Sequence, residues 1–139
     1  GGQSVTKQPT ILVIDDDLDV LGALGDLLRT EGFEVHEVSD GEKAVALVRE
    51  LNPDVVICDL IMPGQTGYQT ISRIKCMGLP LKIIAMSGGS PQKGGGQIGA
   101  TPEAMLSWSS QFGADVVLVK PFEPSVLIRE VLELIPKTS

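Results

Sequence analysis

Short apolar runs alternate along this chain with longer stretches in which apolar residues recur every three or four positions. Thr10–Ile14, Asp54–Cys58, Leu81–Met86 and Asp115–Val119 are brief and rich in Val, Ile and Leu, the pattern of strands buried on both faces of a parallel sheet. Phe33–Val38 reads as a further strand, less hydrophobic and so nearer an edge. Between these runs the spacing turns helical. Leu21, Leu24 and Leu28 follow Asp17 as N-cap and stop at Gly32, while Asp40 caps a helix carrying Ala44, Val45, Leu47, Val48 and Leu51 that ends at Asn52-Pro53. A third helix is predicted over Tyr68–Met77, with Ile71 and Ile74 inward and Gly78 after its end. Thr101-Pro102-Glu103 opens a fourth, with Met105, Trp108 and Phe112 on one face and Gly113 at its end. A last helix starts near Pro124 and carries Leu127, Ile128, Val131, Leu132 and Ile135.

Five strands alternating with five helices imply an α/β domain with a parallel sheet, right-handed crossovers and helices on both faces. Such folds bind their ligands at the carboxyl ends of the strands. The polar residues expected on that rim are Asp15 and Asp16 after the first strand, Asp59 after the third, Ser87 after the fourth and Lys120 after the fifth. Residues 88–100 between the fourth strand and fourth helix are an exception to the alternation: six of the thirteen are glycine, the composition of a mobile, structureless insertion.

At 139 residues the chain is expected to form one domain, with residues 1–8 and 137–139 as tails around a core of 9–136. A net charge of −7 argues against a nucleic-acid surface formed by this domain alone, and no apolar run is long enough to span a membrane. Cys58 and Cys76 are read as free thiols of a reducing cytoplasm rather than a disulfide.

Three carboxylates meeting on one rim repel one another unless a cation joins them. Mg²⁺ suits a few carboxylate oxygens supplemented by water and phosphate. Lys120 adds a point charge able to meet a carboxylate or a phosphoryl oxygen, and Ser87 a hydroxyl donor. Asp59 is the natural nucleophile, since carboxylates form acyl phosphates in metal-assisted phosphoryl transfer. Residue chemistry thus points to a Mg²⁺-dependent aspartyl-phosphate site.

Four segments carry a family likeness: Ile11-Leu12-Val13-Ile14-Asp15-Asp16-Asp17, Cys58-Asp59-Leu60-Ile61-Met62-Pro63-Gly64, Met86-Ser87-Gly88 and Val119-Lys120-Pro121-Phe122. With these in order at strand ends, residues 9–136 resemble a bacterial two-component response-regulator receiver domain of the single-domain, CheY-like kind, a doubly wound, flavodoxin-like three-layer sandwich. The resemblance implies that Asp59 accepts a phosphoryl group from a histidine kinase or a histidine phosphotransfer protein. Asp15, Asp16, Asp59 and the backbone carbonyl of Ile61 would hold Mg²⁺, Ser87 and Lys120 would contact the phosphoryl oxygens, and the Lys120-Pro121 bond would be cis. It further implies a signalling phosphoacceptor rather than an enzyme, a downstream protein target read through the surface around the fourth helix, and partner docking at Leu18, Leu21 or Gly22 with Pro121-Phe122.

The sequence departs from the family pattern in three places. Val117 stands where a switching aromatic is usual, so signalling is expected to run through the Gly-rich loop and fourth helix instead of a ring flip. That loop is longer than the family's. Ile61 and Gly89, at the two positions that tune hydrolysis, offer no group to orient water, so a long-lived phosphoryl group is expected. Two rival functions are a Mg²⁺-dependent phosphatase, which lacks a general acid at Ile61, and a degenerate receiver acting as a phosphorylation-independent binding module. Gly94 to Gly99 matches G-x-G-x-x-G, but no strand leads directly into it and the first βα turn is acidic, so it reads as an insert rather than a nucleotide site. His36 has no partner cluster of metal-ligand type and reads as an ordinary strand residue.

Overall fold

The computed structural model describes residues 8–60, 67–87 and 113–136. Its elements run β1 (Thr10–Ile14), α1 (Leu18–Thr30), β2 (Glu34–Val38), α2 (Gly41–Leu51), β3 (Val55–Asp59), α3 (Gly67–Lys75), β4 (Lys82–Ser87), β5 (Val116–Val119) and α4 (Pro124–Leu134). The five strands form one sheet in the order β2-β1-β3-β4-β5, and every neighbouring pair is parallel. This is the parallel α/β sheet that the alternation of patterns predicts, in the doubly wound, flavodoxin-like form that the resemblance implies. The insertion at 88–100 and the helix expected over 101–112 lie outside the described residues.

Two-sided burial explains the unbroken apolar strands. Ile11 and Val13 of β1 point with Val55, Ile57, Ile84 and Met86 toward α1 and α4, where Leu21, Leu24, Leu28, Leu127 and Val131 close one core. Leu12 and Ile14 point the other way with Val56, Cys58, Ile83 and Ala85, against Ala44 and Val48 of α2 and Ile71 and Ile74 of α3. Successive strand residues therefore belong to different cores, and only an all-apolar run satisfies both. β2, with alternating exposed and buried positions, lies at the sheet edge as its weaker hydrophobicity predicts.

The helix ends follow local chemistry. Asp17 caps α1 by accepting from the Asp19 and Val20 amides, and Asp40 caps α2 by accepting from Glu42. Asn52 closes α2 in the left-handed region at φ 48°, donating to the Val48 carbonyl. Predicted boundaries moved by a residue or two. β2 begins at Glu34 because Phe33 donates back to the Leu28 carbonyl, and α3 stops at Lys75 because Met77 and Gly78 donate to Ile74 and Lys75 in a tightening last turn.

At the amino ends of the strands two aspartates act as register clips. Asp54 accepts from the Thr10 amide at 2.9 Å, and Asp115 accepts from the Ile83 amide at 2.8 Å. Each supplies an acceptor to a backbone donor at the sheet end. Asp54→Ala or Asp115→Ala is expected to cost about 1–3 kcal/mol, the penalty for stranding such a donor. Urea unfolding checks this as a lowered midpoint at unchanged slope. Asp26→Ala, at an exposed ion pair, is expected to change stability by no more than about 0.5 kcal/mol.

Candidate functional site

The register brings the rim residues together. Ile14 pairs with Cys58, so Asp15 and Asp59 leave the carboxyl ends of adjacent central strands at one level. Asp59 pairs with Met86, which sets Ser87 one residue further along β4, opposite Val119 and one residue before Lys120. Lys120 donates its backbone N–H to the Ser87 carbonyl at 2.8 Å, and the Lys120-Pro121 bond is cis.

The charges converge tightly. Lys120 Nζ lies 3.0 Å from Asp15 Oδ2 and 3.6 Å from Asp59 Oδ2. Asp15 and Asp59 are almost fully buried, at 0% and 1% exposure, so these contacts act where water screens little. The Asp17 amide donates to the other Asp15 oxygen at 2.9 Å. Asp15, Asp16 and Asp59 each offer a carboxylate oxygen within 4.8 Å of the others. Asp16 Oδ1 is buried and takes no hydrogen bond among the described residues. One ammonium against three carboxylates leaves the cluster short of positive charge, and an orphaned buried oxygen adds a further demand. A hard divalent cation satisfies both, so the donor set fits Mg²⁺.

Of the expected site residues, the structure assembles Asp15, Asp16, Asp59 and Lys120 directly and puts Ser87 on the same rim. Ile61, Gly89 and the loop after Ser87 lie outside the described residues. His36 is remote from the rim and sits 2.9 Å from Glu34 Oε2 on the edge strand. Val117 is half-buried and packs against the α2–α3 core. One docking assignment needs correction: Leu21 is 4% exposed and belongs to the core under α1. Its i, i+3, i+7 relation to Leu24 and Leu28 puts it on the inward stripe. Leu18, one turn earlier, is 69% exposed and Gly22 half-exposed, so these remain the accessible residues of that turn.

Gly67 is a contributor that the linear pattern did not single out. Its amide donates to the Leu60 carbonyl at 2.9 Å, folding the chain back on the end of β3. A Cβ there would collide with the Asp59 carbonyl oxygen and lie 2.6 Å from Leu60 Cα. The lack of a side chain lets α3 start directly against the Asp59 backbone. In the sequence, Pro63-Gly64 marks a turn after the strand but gives no sign of the close approach at Gly67. Cys58 supports the same segment: it is fully buried, and its thiol donates to the Asp59 carbonyl at 3.3 Å. Burial, with the nearby Asp59 and Asp15 charges, pushes that thiol far above the ordinary range.

Comparison with known proteins agrees with this geometry. The response regulator receiver domain family matches residues 11–132. The DNA-binding response regulator MtrA of Mycobacterium tuberculosis is 33% identical over 127 residues, covering 91% of this chain and 50% of that protein. The transcriptional regulatory protein PrrA of Mycobacterium leprae is 32% identical over 129 residues, covering 93% of this chain and 51% of that protein. The chain thus spans about half the length of these curated relatives. Among solved structures, a putative response regulator from Chloroflexus aurantiacus superposes with a TM-score of 0.76 at 32% identity, over 92% of this chain and 98% of that one. Chemotaxis protein CheY4 of Vibrio cholerae shares the fold with a TM-score of 0.79 at 24% identity, over 93% and 100% of the two chains.

Two outcomes follow from the residues around Asp59. A neutral-pH thiol titration is expected to count one reactive cysteine in the native protein, the exposed Cys76, and two after denaturation. Gly67→Ala is expected to destabilise by about 1–3 kcal/mol as α3 is pushed off the β3 end, read as a lower urea midpoint.

Proposed function

The chain belongs to the response-regulator receiver family, and from that premise we propose that Asp59 accepts a phosphoryl group from the phosphohistidine of a histidine kinase or histidine phosphotransfer protein. The observation that carries this reading is the Lys120 ammonium held 3.0 Å from Asp15 and 3.6 Å from Asp59, both carboxylates almost fully buried. An Asp59 oxygen attacks phosphorus, the P–N bond breaks as the P–O bond forms, and the imidazole leaves with its electron pair. Lys120 is placed to meet the charge on the transferred group from beside Asp59. Ser87, at the end of the adjoining strand, is assigned the hydrogen bond to a second phosphoryl oxygen. Asp15 and Asp16, with the Ile61 carbonyl as the family resemblance implies, would hold Mg²⁺. When bound, Mg²⁺ supplies charge neutralisation and orientation of the transferred group.

In this reading the receiver unit spans residues 9–136 and acts as a phosphoacceptor, not a turnover enzyme. Leu18, Gly22, Pro121 and Phe122 form the partner-facing edge, Leu18 and Pro121 exposed and the other two half-buried. Its place of work is the cytoplasm, where it meets its phosphohistidine donor, and its output goes to a downstream protein target. A net charge of −7 opposes a DNA backbone, so any DNA contact of the kind named for MtrA is assigned to parts of a regulator outside this domain. With Ile61 and Gly89 at the positions that tune hydrolysis, the phosphoryl group is long-lived.

Incubation with Mg²⁺ and acetyl phosphate, followed by intact mass measurement, tests the proposal. One phosphoryl group is expected on the native protein, none on Asp59→Asn and none in EDTA, with decay over minutes or longer. Lys120→Ala is expected to reduce the rate of phosphorylation by about 10²-fold or more, as for loss of one charge-stabilising donor. Failure to gain mass from either acetyl phosphate or a phosphorylated histidine donor would instead favour a receiver that works by binding alone.

A further inference from the structure

Away from the rim, charge is unevenly distributed. None of the chain's 18 acidic residues falls between Leu60 and Pro102. Within that stretch α3 carries Arg73 and Lys75 and no acid. Between the outer surfaces of α2 and α3 runs an open groove of about 400 Å³, lined among the described residues by Val45, Ala46, Arg49, Arg73, Cys76 and Met77. Its floor is apolar. Arg49 and Arg73 are exposed, and neither forms an ion pair with any described residue. In a chain of net charge −7, this groove has two arginines and no acid among its described lining residues.

We propose that the α2–α3 groove docks an acidic segment of a partner protein, its carboxylates meeting Arg49 and Arg73 and an apolar side chain resting on Val45, Ala46 and Met77. Guanidinium groups match carboxylates in paired geometry, and the apolar floor gives a neighbouring side chain somewhere to leave water. Charge complementarity selects this occupant over the alternatives. A two-fold contact centred on the groove would bring the two arginine pairs face to face, and a head-to-tail contact, closing into a ring or running on as a filament, would show itself by its dependence on protein concentration. A nucleic acid would have to approach a strongly anionic domain. Because both arginines are exposed, binding is modest in strength and weakens as salt rises. The surface is separate from the acidic rim, so the inference does not depend on phosphoryl transfer.

The groove carries its own reporter. Cys76 is exposed within it while Cys58 is buried, so alkylation by uncharged iodoacetamide reads occupancy at Cys76 alone. A short synthetic peptide of glutamates flanking one leucine is expected to slow alkylation saturably at low salt, whereas a lysine counterpart does not. Replacing both arginines, Arg49→Gln with Arg73→Gln, is expected to weaken the peptide Kd about tenfold with an unchanged circular dichroism spectrum. The lysine pair Arg49→Lys with Arg73→Lys is expected to restore part of the affinity. Equal protection by both peptides, or an unaltered Kd in the glutamine variant, would overturn the proposal. So would protection that grows with protein concentration alone, which indicates a second copy, or stronger protection by a duplex oligonucleotide.

Discussion

The structure turns on the mutual repulsion of three carboxylates gathered at one end of a parallel sheet. Asp15, Asp16 and Asp59 offer oxygens within 4.8 Å of one another, yet Lys120 is the one cation that the described residues bring into ion-pair contact with them. Reaching them is itself demanding. β5 lies three strand spacings from β1, about 14 Å across the sheet. Lys120 nonetheless closes to 3.0 Å on Asp15, because it follows the strand end rather than lying within the strand, and because its stem is long. A cluster of this kind is costly as it stands and becomes favourable only with more positive charge, which is the condition a divalent cation satisfies.

The rest of the fold keeps those groups in place. Two cores, one against α1 and α4 and one against α2 and α3, fix the sheet from both sides. The Asp54 and Asp115 clips at the opposite end hold β1 and β4 in register with their neighbours. A one-residue slip would turn each strand residue toward the wrong core. Gly67 and the buried Cys58 then secure the backbone on either side of Asp59. The strand ends are therefore positioned by packing that is remote from the chemistry.

Much of this was legible in the residues. Strand runs apolar at every position can be satisfied only between two helical layers, and an acid closing such a run falls on the ligand-binding rim. Asp17 and Asp40 announced their helices because capping is a local hydrogen-bond effect. What the pattern missed depends on tertiary neighbours. Asp54 and Asp115 looked like ordinary strand-start acids until the adjacent strand's free amide was placed beside each. Gly67 became significant only when α3 met the Asp59 carbonyl. Leu21 was assigned to the docking edge by the family resemblance, which points to the first helix as a whole, whereas its phase with Leu24 and Leu28 already committed it to the core.

The most direct test of the central claim, that the rim is an anionic cluster completed by a divalent cation, is urea stability with and without Mg²⁺. In EDTA, Asp16→Asn is expected to be at least as stable as the native protein, because it removes a repelling charge. Mg²⁺ is expected to stabilise the native protein by about 1.4 kcal/mol for each tenfold rise above its dissociation constant, and to leave the variant nearly unmoved. No Mg²⁺ dependence, or the same dependence in both proteins, would contradict the account.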